Sequence, residues 1–301
     1  MSAGRAVLID GELVAPDDAK VSVYDRGFLF GDAVFEVLRT YGGVPFAWGE
    51  HFARLRRSAG RVFIEVPVDD ATLRGEVERG VAAAANEESN VRIVLTRGVG
   101  PVTLDPGTAR APLRVVLVEA VVPPPRDAYA SGIAAVTVRT QRTADGTAAS
   151  GAKVTNYLES LLAVREAKAQ GAQEALIVDG RGDVVEGATS NVFVVKGGRL
   201  ATPPADAGIL VGITRAHVLD AAALAGVAVD QRTLRPDDLY GADEVFVTSS
   251  IREVLPVVRV DGRTIASGPG PITRALHRAF RVAAGVGDRP MPWEAAVNRA
   301  P

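Results

Sequence analysis

The sequence predicts an α/β (α+β) chain of two domains, each with mixed or antiparallel sheets packed by helices. Three observations carry this. Strand-like and helix-like segments mix in both halves, and hairpin turns outnumber strand–helix–strand units. The stretch PPPRD, Pro123 to Asp127, interrupts the pattern, because three consecutive prolines join neither a helix nor a central strand. No GxGxxG follows a strand and opens a helix, and no GxxxxGK[ST] occurs, so a doubly wound nucleotide fold is not expected. The boundaries that follow are a small N-terminal domain over 1–122, a stiff extended connector over 123–131 and a large C-terminal domain over 132–301 that carries Lys153.

The elements follow from local pattern. RAVLIDGELV reads as two strands around Asp10-Gly11, a favoured two-residue turn. AVFEVLRTYGGVPFAW is a second hairpin, turning at Gly42-Gly43. In GEHFARLRRSAGRV the period changes: Phe52, Leu55, Ala59 and Val62 recur on one helical face. Residues 69–86 form another helix, and NVRIVLTRG and PLRVVLVEAVV are strands rich in β-branched residues. Past the prolines, GIAAVTVRT is a strand and TADGTAASG a loop, followed by a helix over about 156–170 that Gly171 stops. EALIVD, the turn GRGD, and VVEGATSNVFVVKGGRLATPP give a run of short strands and bends. GITRAHVLDAAALAG is a helix, DEVFVTSS a strand into a polar loop, VVRVDGRTI a hairpin at Asp261-Gly262, and 271–284 a last helix.

Composition removes several classes of function. At 301 residues, with 47% hydrophobic and 23% charged residues, the chain is long enough for two cores. A net charge of −2 gives no electrostatic footprint for nucleic acid or an anionic membrane. There is no cysteine, which excludes disulfides, thiolate nucleophiles and Cys-ligated metals. His51, His217 and His277 are the three histidines, far apart in sequence, and no metal site is expected. The N-terminus lacks a basic-then-apolar leader pattern and no apolar run approaches a membrane span, so a cytoplasmic protein is expected.

Chemistry is suggested by a scarce residue. Of 34 Lys+Arg only Lys20, Lys153, Lys168 and Lys196 are lysines. Lys153 heads the segment GAKVTNYLESLLA. It is either a surface cation or an amine kept because, unlike a guanidinium, it can lose its proton and form an imine. Gly212 opens the GITR helix, whose first amides, on Ile213 and Thr214, make either an ordinary helix start or an anion site. VTSSIRE supplies Thr248, Ser249 and Ser250 with Arg252 behind them, either a plain turn or an anion loop. Arg54 sits one position off its helix's apolar stripe, and Glu186 stands where a strand meets a glycine. Together these supply what pyridoxal phosphate requires: an amine for the aldehyde, an arginine and a helix start for the phosphate, and a carboxylate for the pyridine nitrogen.

At this point the sequence resembles the fold type IV (class IV) pyridoxal-phosphate aminotransferases, which include branched-chain and D-amino acid aminotransferases and aminodeoxychorismate lyase. The matching stretches include YDRGFLFGDAVFEVLRTYGG, EHFARLRRSA, LTRG, KVTNYLESLLA, EALIVDGRGDVVEGATSNVFVVKGGRLATPP, GITRAHVL, ADEVFVTSSIREVLPV and GPGPITRAL. The resemblance implies the two-domain fold type IV architecture and pyridoxal 5′-phosphate. It implies that Lys153 carries the cofactor and shuttles the proton, and that Glu186 pairs with the pyridine nitrogen. Arg54, Ile213 and Thr214, with Ser249 and Ser250, hold the phosphate. Tyr157 matches a tyrosine near the ring hydroxyl, although Lys153 and Tyr157 stand one residue closer than in the common branched-chain form. Asn191 and Phe35 fall on pocket positions.

The same resemblance implies a ping-pong transaminase acting on amino acids and 2-oxo acids as a homodimer. Candidates for binding the substrate carboxylate are Arg26 in YDRGF, Arg97 in LTRG and Arg252 in SSIRE. RGVGPVTLDPG lacks the Arg-x-His pair of typical D-amino acid enzymes. The expected activity is D-amino acid transamination by an atypical carboxylate trap. Branched-chain L-amino acid transamination is the alternative, and aminodeoxychorismate lyase a further one.

Overall fold

The computed structural model describes residues 4–140 and 146–294. The ends of the two expected domains, 1–3 and 295–301, and residues 143–145 of the TADGTAASG loop lie outside the described residues. The chain forms two compact units. The first joins the residues up to Val122 with Gly146–Tyr157, and the second joins those from Pro123 with the chain from Leu158 onward.

In the first unit six strands pair antiparallel throughout: β1 (Arg5–Ile9), β2 (Glu12–Val14), β3 (Ala33–Tyr41), β4 (Val44–Pro45), β5 (Ser89–Thr96) and β6 (Arg114–Ala120). Their spatial order is β2-β1-β6-β5-β3-β4. A short helix α1 (Arg26–Phe30) precedes β3, while α2 (Trp48–Arg61) and α3 (Asp70–Ala84) connect β4 to β5. Asp69 caps α3 by accepting from the Thr72 amide at 2.8 Å. Three residues of the stripe read from the sequence lie on α2, while the fourth, Val62, falls at its C-cap and is half-buried. Phe52, Leu55 and Ala59 of α2 are buried against Val34 and Leu38 of β3 and Val91, Ile93 and Leu95 of β5.

Strand alternation gives this sheet two chemically different faces. Val34, Glu36 and Leu38 point toward the helices, while Phe35 and Val37 point the other way. Val37 pairs with Arg92, so that guanidinium shares the Phe35 face. On the edge of β3, the Phe35 amide donates to the Lys153 carbonyl at 2.9 Å and the Thr155 amide donates to the Ala33 carbonyl at 3.0 Å. The lysine segment therefore adds one rung to β3 beside Phe35.

The second unit holds a nine-stranded mixed sheet of β7 (Ile133–Arg139), β8 (Glu174–Val178), β9 (Val184–Gly187), β10 (Asn191–Lys196), β11 (Arg199–Thr202), β12 (Val229–Gln231), β13 (Glu244–Ser249), β14 (Glu253–Val260) and β15 (Arg263–Thr264). β7 runs parallel to β8 and β14, and β12 parallel to β11; the remaining pairs are antiparallel. Its helices are α4 (Arg126–Ala130), α5 (Leu158–Ala169), α6 (Ile213–Leu224), α7 (Pro236–Tyr240) and α8 (Pro271–Ala283). α6 and α8 cover a cluster around Phe193, Phe246 and Leu276, and α5 packs on Ala134, Val136 and Ile177. Both units are thus curled mixed or antiparallel sheets packed by helices, the α+β arrangement expected.

Several details differ from the sequence reading. The stretch expected to be wholly extended holds α4 directly after Pro125, a position where the missing amide of proline does no harm. The helix expected from about 156 starts at Leu158. α1, α7 and β12 were not anticipated; each is five residues or fewer.

Candidate active site

In the first unit the amine of Lys153 lies 3.3 Å from the Tyr157 hydroxyl and 4.4 Å from the centre of the Phe35 ring. The Lys153 backbone is held on both sides, its amide donating to the Ser58 hydroxyl of α2 at 3.1 Å and its carbonyl accepting from Phe35. The side chain is half-buried. Tyr157 stands edge-on to Phe35, with ring centres 5.1 Å apart. The shortened spacing thus still brings Tyr157 to the lysine.

Arg54, one position off the apolar stripe of α2, is buried. Glu36, on the helix-facing side of β3, accepts from Arg54 Nε and Nη2 at 2.7 Å each, and its Oε2 lies 2.8 Å from His51 Nδ1. Burial opposes ionisation of Glu36, but the hydrogen bonds from Arg54 and His51 outweigh it and hold the pKa down to about 2. Burial pushes His51 the opposite way, below its ordinary value.

The three arginines expected to meet a substrate carboxylate are engaged by the protein itself. Arg26 is buried, donating from Nε to Asp32 at 2.9 Å and from Nη1 to the Thr103 carbonyl at 2.7 Å. Arg97 forks onto both oxygens of the same Asp32 and also donates to the Val62 and Phe63 carbonyls. Burial raises the Asp32 pKa, yet the bonds from Arg97 and Arg26 bring it below the usual carboxylate value. In the second unit Arg252 pairs with buried Glu174 at 2.5 Å and donates to the Ser249 hydroxyl and to the carbonyl and hydroxyl of Thr189. Each of these guanidiniums is committed to acids and carbonyls of its own chain.

One arginine that sequence reasoning did not single out is Arg92. Its guanidinium lies 4.0 Å from the centre of the Phe35 ring, and burial lowers its pKa, with the Tyr157 phenol acting in the opposite direction. No described residue accepts a hydrogen bond from it. A half-buried cation stacked on an aromatic ring without a carboxylate suits an anion brought from outside. The available signal was the alternation of NVRIVL, which puts Arg92 opposite the buried Val91 and Ile93.

The second unit gathers the remaining residues around one peptide. The Leu210 amide donates to Glu186 at 3.1 Å, and the Leu210 carbonyl accepts from the Asn191 side chain at 2.8 Å. α6 then starts on Gly212 with no side chain capping its first amides, and Ile213 and Thr214 are buried. A Cβ at Gly212 would lie 2.0 Å from Asn191 Oδ1, so a side chain there would displace the Asn191 amide. Thr248 is the cross-strand partner of Asn191, so both side chains share a face. Its hydroxyl is buried and has no hydrogen-bond partner among the described residues. Ser249 and Ser250 follow at the end of β13, both half-buried. An uncapped helix start, a glycine beside it and an orphaned hydroxyl fit a phosphate, and Glu186 is a carboxylate of the kind a pyridine nitrogen needs. Among the described residues no cluster of three metal-ligating side chains exists, and no helix is long and apolar enough to cross a membrane.

A lysine amine beside a phenol in the first unit, and an uncapped helix start with an orphaned hydroxyl in the second, are parts that pyridoxal-phosphate enzymes moving amino groups use. The model of the amino-transferase class IV family matches residues 33–260, and the chain belongs to this family of pyridoxal-phosphate aminotransferases. The D-alanine aminotransferase of Listeria innocua is 38% identical over 91% of this chain and 94% of its own length. A Methanocaldococcus jannaschii protein provisionally assigned as a branched-chain-amino-acid aminotransferase is 38% identical over 91% of this chain and 95% of its own length. Among solved structures, the Escherichia coli branched-chain amino acid aminotransferase superposes with a TM-score of 0.89 at 30% identity, covering 96% of this chain and 98% of that one. The branched-chain enzyme of the thermophilic archaeon Thermoproteus uzoniensis, solved with norvaline, gives 0.85 at 30% identity over 97% and 98%.

Proposed function

We propose that this aminotransferase transfers amino groups between D-amino acids and 2-oxo acids, with Lys153 as its catalytic residue and Arg92 as its carboxylate-binding residue. The observation that carries it is the grouping, on the single ring of Phe35, of the Lys153 amine and an arginine that no described residue accepts from. In this reading Arg54, Ile213, Thr214, Ser249 and Ser250 hold the cofactor phosphate, Glu186 keeps the pyridine nitrogen protonated, and Tyr157 and Asn191 line the ring. Pyridoxal phosphate, when bound, supplies the electron sink that lets an amino-acid α-proton leave. Lys153 would take and hold that proton at Nζ, 3.3 Å from the Tyr157 hydroxyl. Arg92 orients the substrate through its carboxylate, and Phe35 excludes water beneath the amine.

The D-preference is supported by the D-alanine aminotransferases among the relatives. Branched-chain L-amino acid transamination is the second reading, favoured by the likeness to the Escherichia coli branched-chain enzyme. Assembly as a homodimer and a cytoplasmic setting belong to the proposal through the family resemblance alone. Single-turnover half-reactions, followed by the absorbance of the bound cofactor, test it. D-alanine and D-glutamate should discharge the aldehyde form, and a 2-oxo acid should restore it. Efficient reaction with L-valine or L-leucine and none with D-alanine would replace the first reading by the second. Repeated release of pyruvate from aminodeoxychorismate, with no 2-oxo acid present and the cofactor left in its aldehyde form, would point to lyase chemistry. Lys153→Ala should remove the absorbance of the joined cofactor; unchanged colour would refute the role of Lys153.

A further inference from the structure

A second buried acid–histidine–arginine group lies in the second unit, apart from the residues assigned above. Glu253 opens β14 directly after the Ser249–Arg252 turn and is 2% exposed. His277 and Arg281, one turn apart on α8, close on it: His277 Nε2 lies 2.7 Å from Glu253 Oε2, and Arg281 Nη1 donates to both carboxylate oxygens at 3.1 Å. His277 and Arg281 are themselves 1% and 9% exposed. Glu253 adopts a left-handed backbone, φ 55°, which a residue with a side chain rarely takes unless its surroundings enforce it.

What the group enforces is the turn before it. The Arg252 carbonyl, one atom from the Glu253 amide, accepts from the buried Tyr129 hydroxyl at 3.2 Å. Tyr129 packs on the His277 ring, with ring centres 5.8 Å apart, and Trp293 lies edge-on to the same ring at 5.2 Å. On the side-chain face, Arg252 ties the turn to Glu174 and Thr189 while its Nε and amide both reach the Ser249 hydroxyl. The turn is thus held at its first residue, its last residue and the residue beyond. A three-residue ionic group buried in a small core does little for net stability compared with an apolar filling of the same volume. Its effect here is geometric: it pins a strained residue and so sets where the hydroxyls of Ser249 and Ser250 stand.

We propose that Glu253, His277 and Arg281 form a clamp that positions the Ser249–Ser250 hydroxyls for the phosphate of the cofactor. The three are positioning residues and touch neither cofactor nor substrate. The inference rests on the reading that these two serines meet the phosphate.

The test compares pyridoxal phosphate with pyridoxal, which lacks the phosphate, as ligands of the full chain depleted of cofactor by dialysis. The variants are Glu253→Gln and, to avoid stranding a buried charge, the double variant Glu253→Gln with Arg281→Met. The clamp predicts that affinity for pyridoxal phosphate falls about tenfold, the loss of roughly one charge-assisted hydrogen bond, while affinity for pyridoxal stays within about twofold. Arg281→Lys, which keeps the charge, should recover part of the difference. Parallel falls for both ligands, or no change in either, would overturn the clamp and leave the group as a support of the fold. Wild-type protein that binds pyridoxal phosphate no more tightly than pyridoxal would overturn the phosphate reading itself, a result separate from any variant. If the double variant does not fold, judged by circular dichroism, Glu253→Gln alone gives the same ratio.

Discussion

Replacing Glu36 with glutamine should destabilise the first unit strongly and lessen its sensitivity to acid. Glu36 is 0% exposed and grips Arg54 with both oxygens. Its carboxyl titrates near 2 in the folded chain against 4.5 ordinarily, a difference worth about 3 kcal/mol of stability at neutral pH. The folded pKa is the lower one, so this contribution is complete above pH 4.5 and lost as pH falls toward 2. Glutamine removes the charge at every pH and takes the carboxylate away from Arg54, a change of about 3–5 kcal/mol for a broken buried pair. Trp48, in α2 near Phe52, reports this unit, and Trp293→Phe silences the other tryptophan. Urea unfolding followed by Trp48 fluorescence should show the midpoint falling by about 1 M or more at pH 7. Between pH 4.5 and 2 the wild type should lose stability more steeply than the variant. Midpoints that agree at pH 7, or equal slopes below pH 4.5, would refute the assignment of Glu36 as the ionised centre of this group.

Three further outcomes follow from the same geometry. Gly212→Ala sets a methyl against Asn191 Oδ1, so affinity for pyridoxal phosphate should fall at least about tenfold while circular dichroism stays near wild type; undiminished affinity would count against the α6 cradle. Arg92→Gln should raise KM for D-glutamate by about tenfold or more, the value of one charge-assisted hydrogen bond, with little change in cofactor affinity; an unchanged KM would remove Arg92 from substrate binding. Leu55→Ala, at a fully buried position of α2, should cost about 2–5 kcal/mol in urea unfolding of the same Trp48-monitored transition.

Much of the fold could be read from local pattern because local pattern drives these elements. Phe52, Leu55 and Ala59 recur at helical spacing, and all three are buried in α2. Asp10-Gly11 and Gly42-Gly43 turn where expected, each glycine in the left-handed region. Short elements escaped. α1 has five residues, too few for periodicity, although Asp25 caps it through the Gly27 and Phe28 amides and left-handed Gly31 ends it. Side-chain roles were legible only where motif and partner lie close together. Lys153 and Tyr157 sit four residues apart, and the structure brings them into contact. Arg26 and Arg97 both depend on Asp32, and Arg252 depends on Glu174, 78 positions away. No periodicity announces such a distant carboxylate. The same gap hid Arg92, whose distinguishing feature is that no described residue answers it.

The rung that Lys153 and Thr155 add to β3 has a consequence for how the chain is made. The unit bearing the amine draws on two separated stretches of sequence, with some two dozen residues of the other unit between them. During synthesis, which proceeds vectorially from the N-terminus, the early strands and helices emerge long before the peptide that completes their edge. The nascent first half must therefore wait with an open strand flank until residue 157 clears the ribosome. The amine of Lys153 reaches the Phe35 ring only with the closing of that edge, and the start of α6 and the end of β13 are made later still.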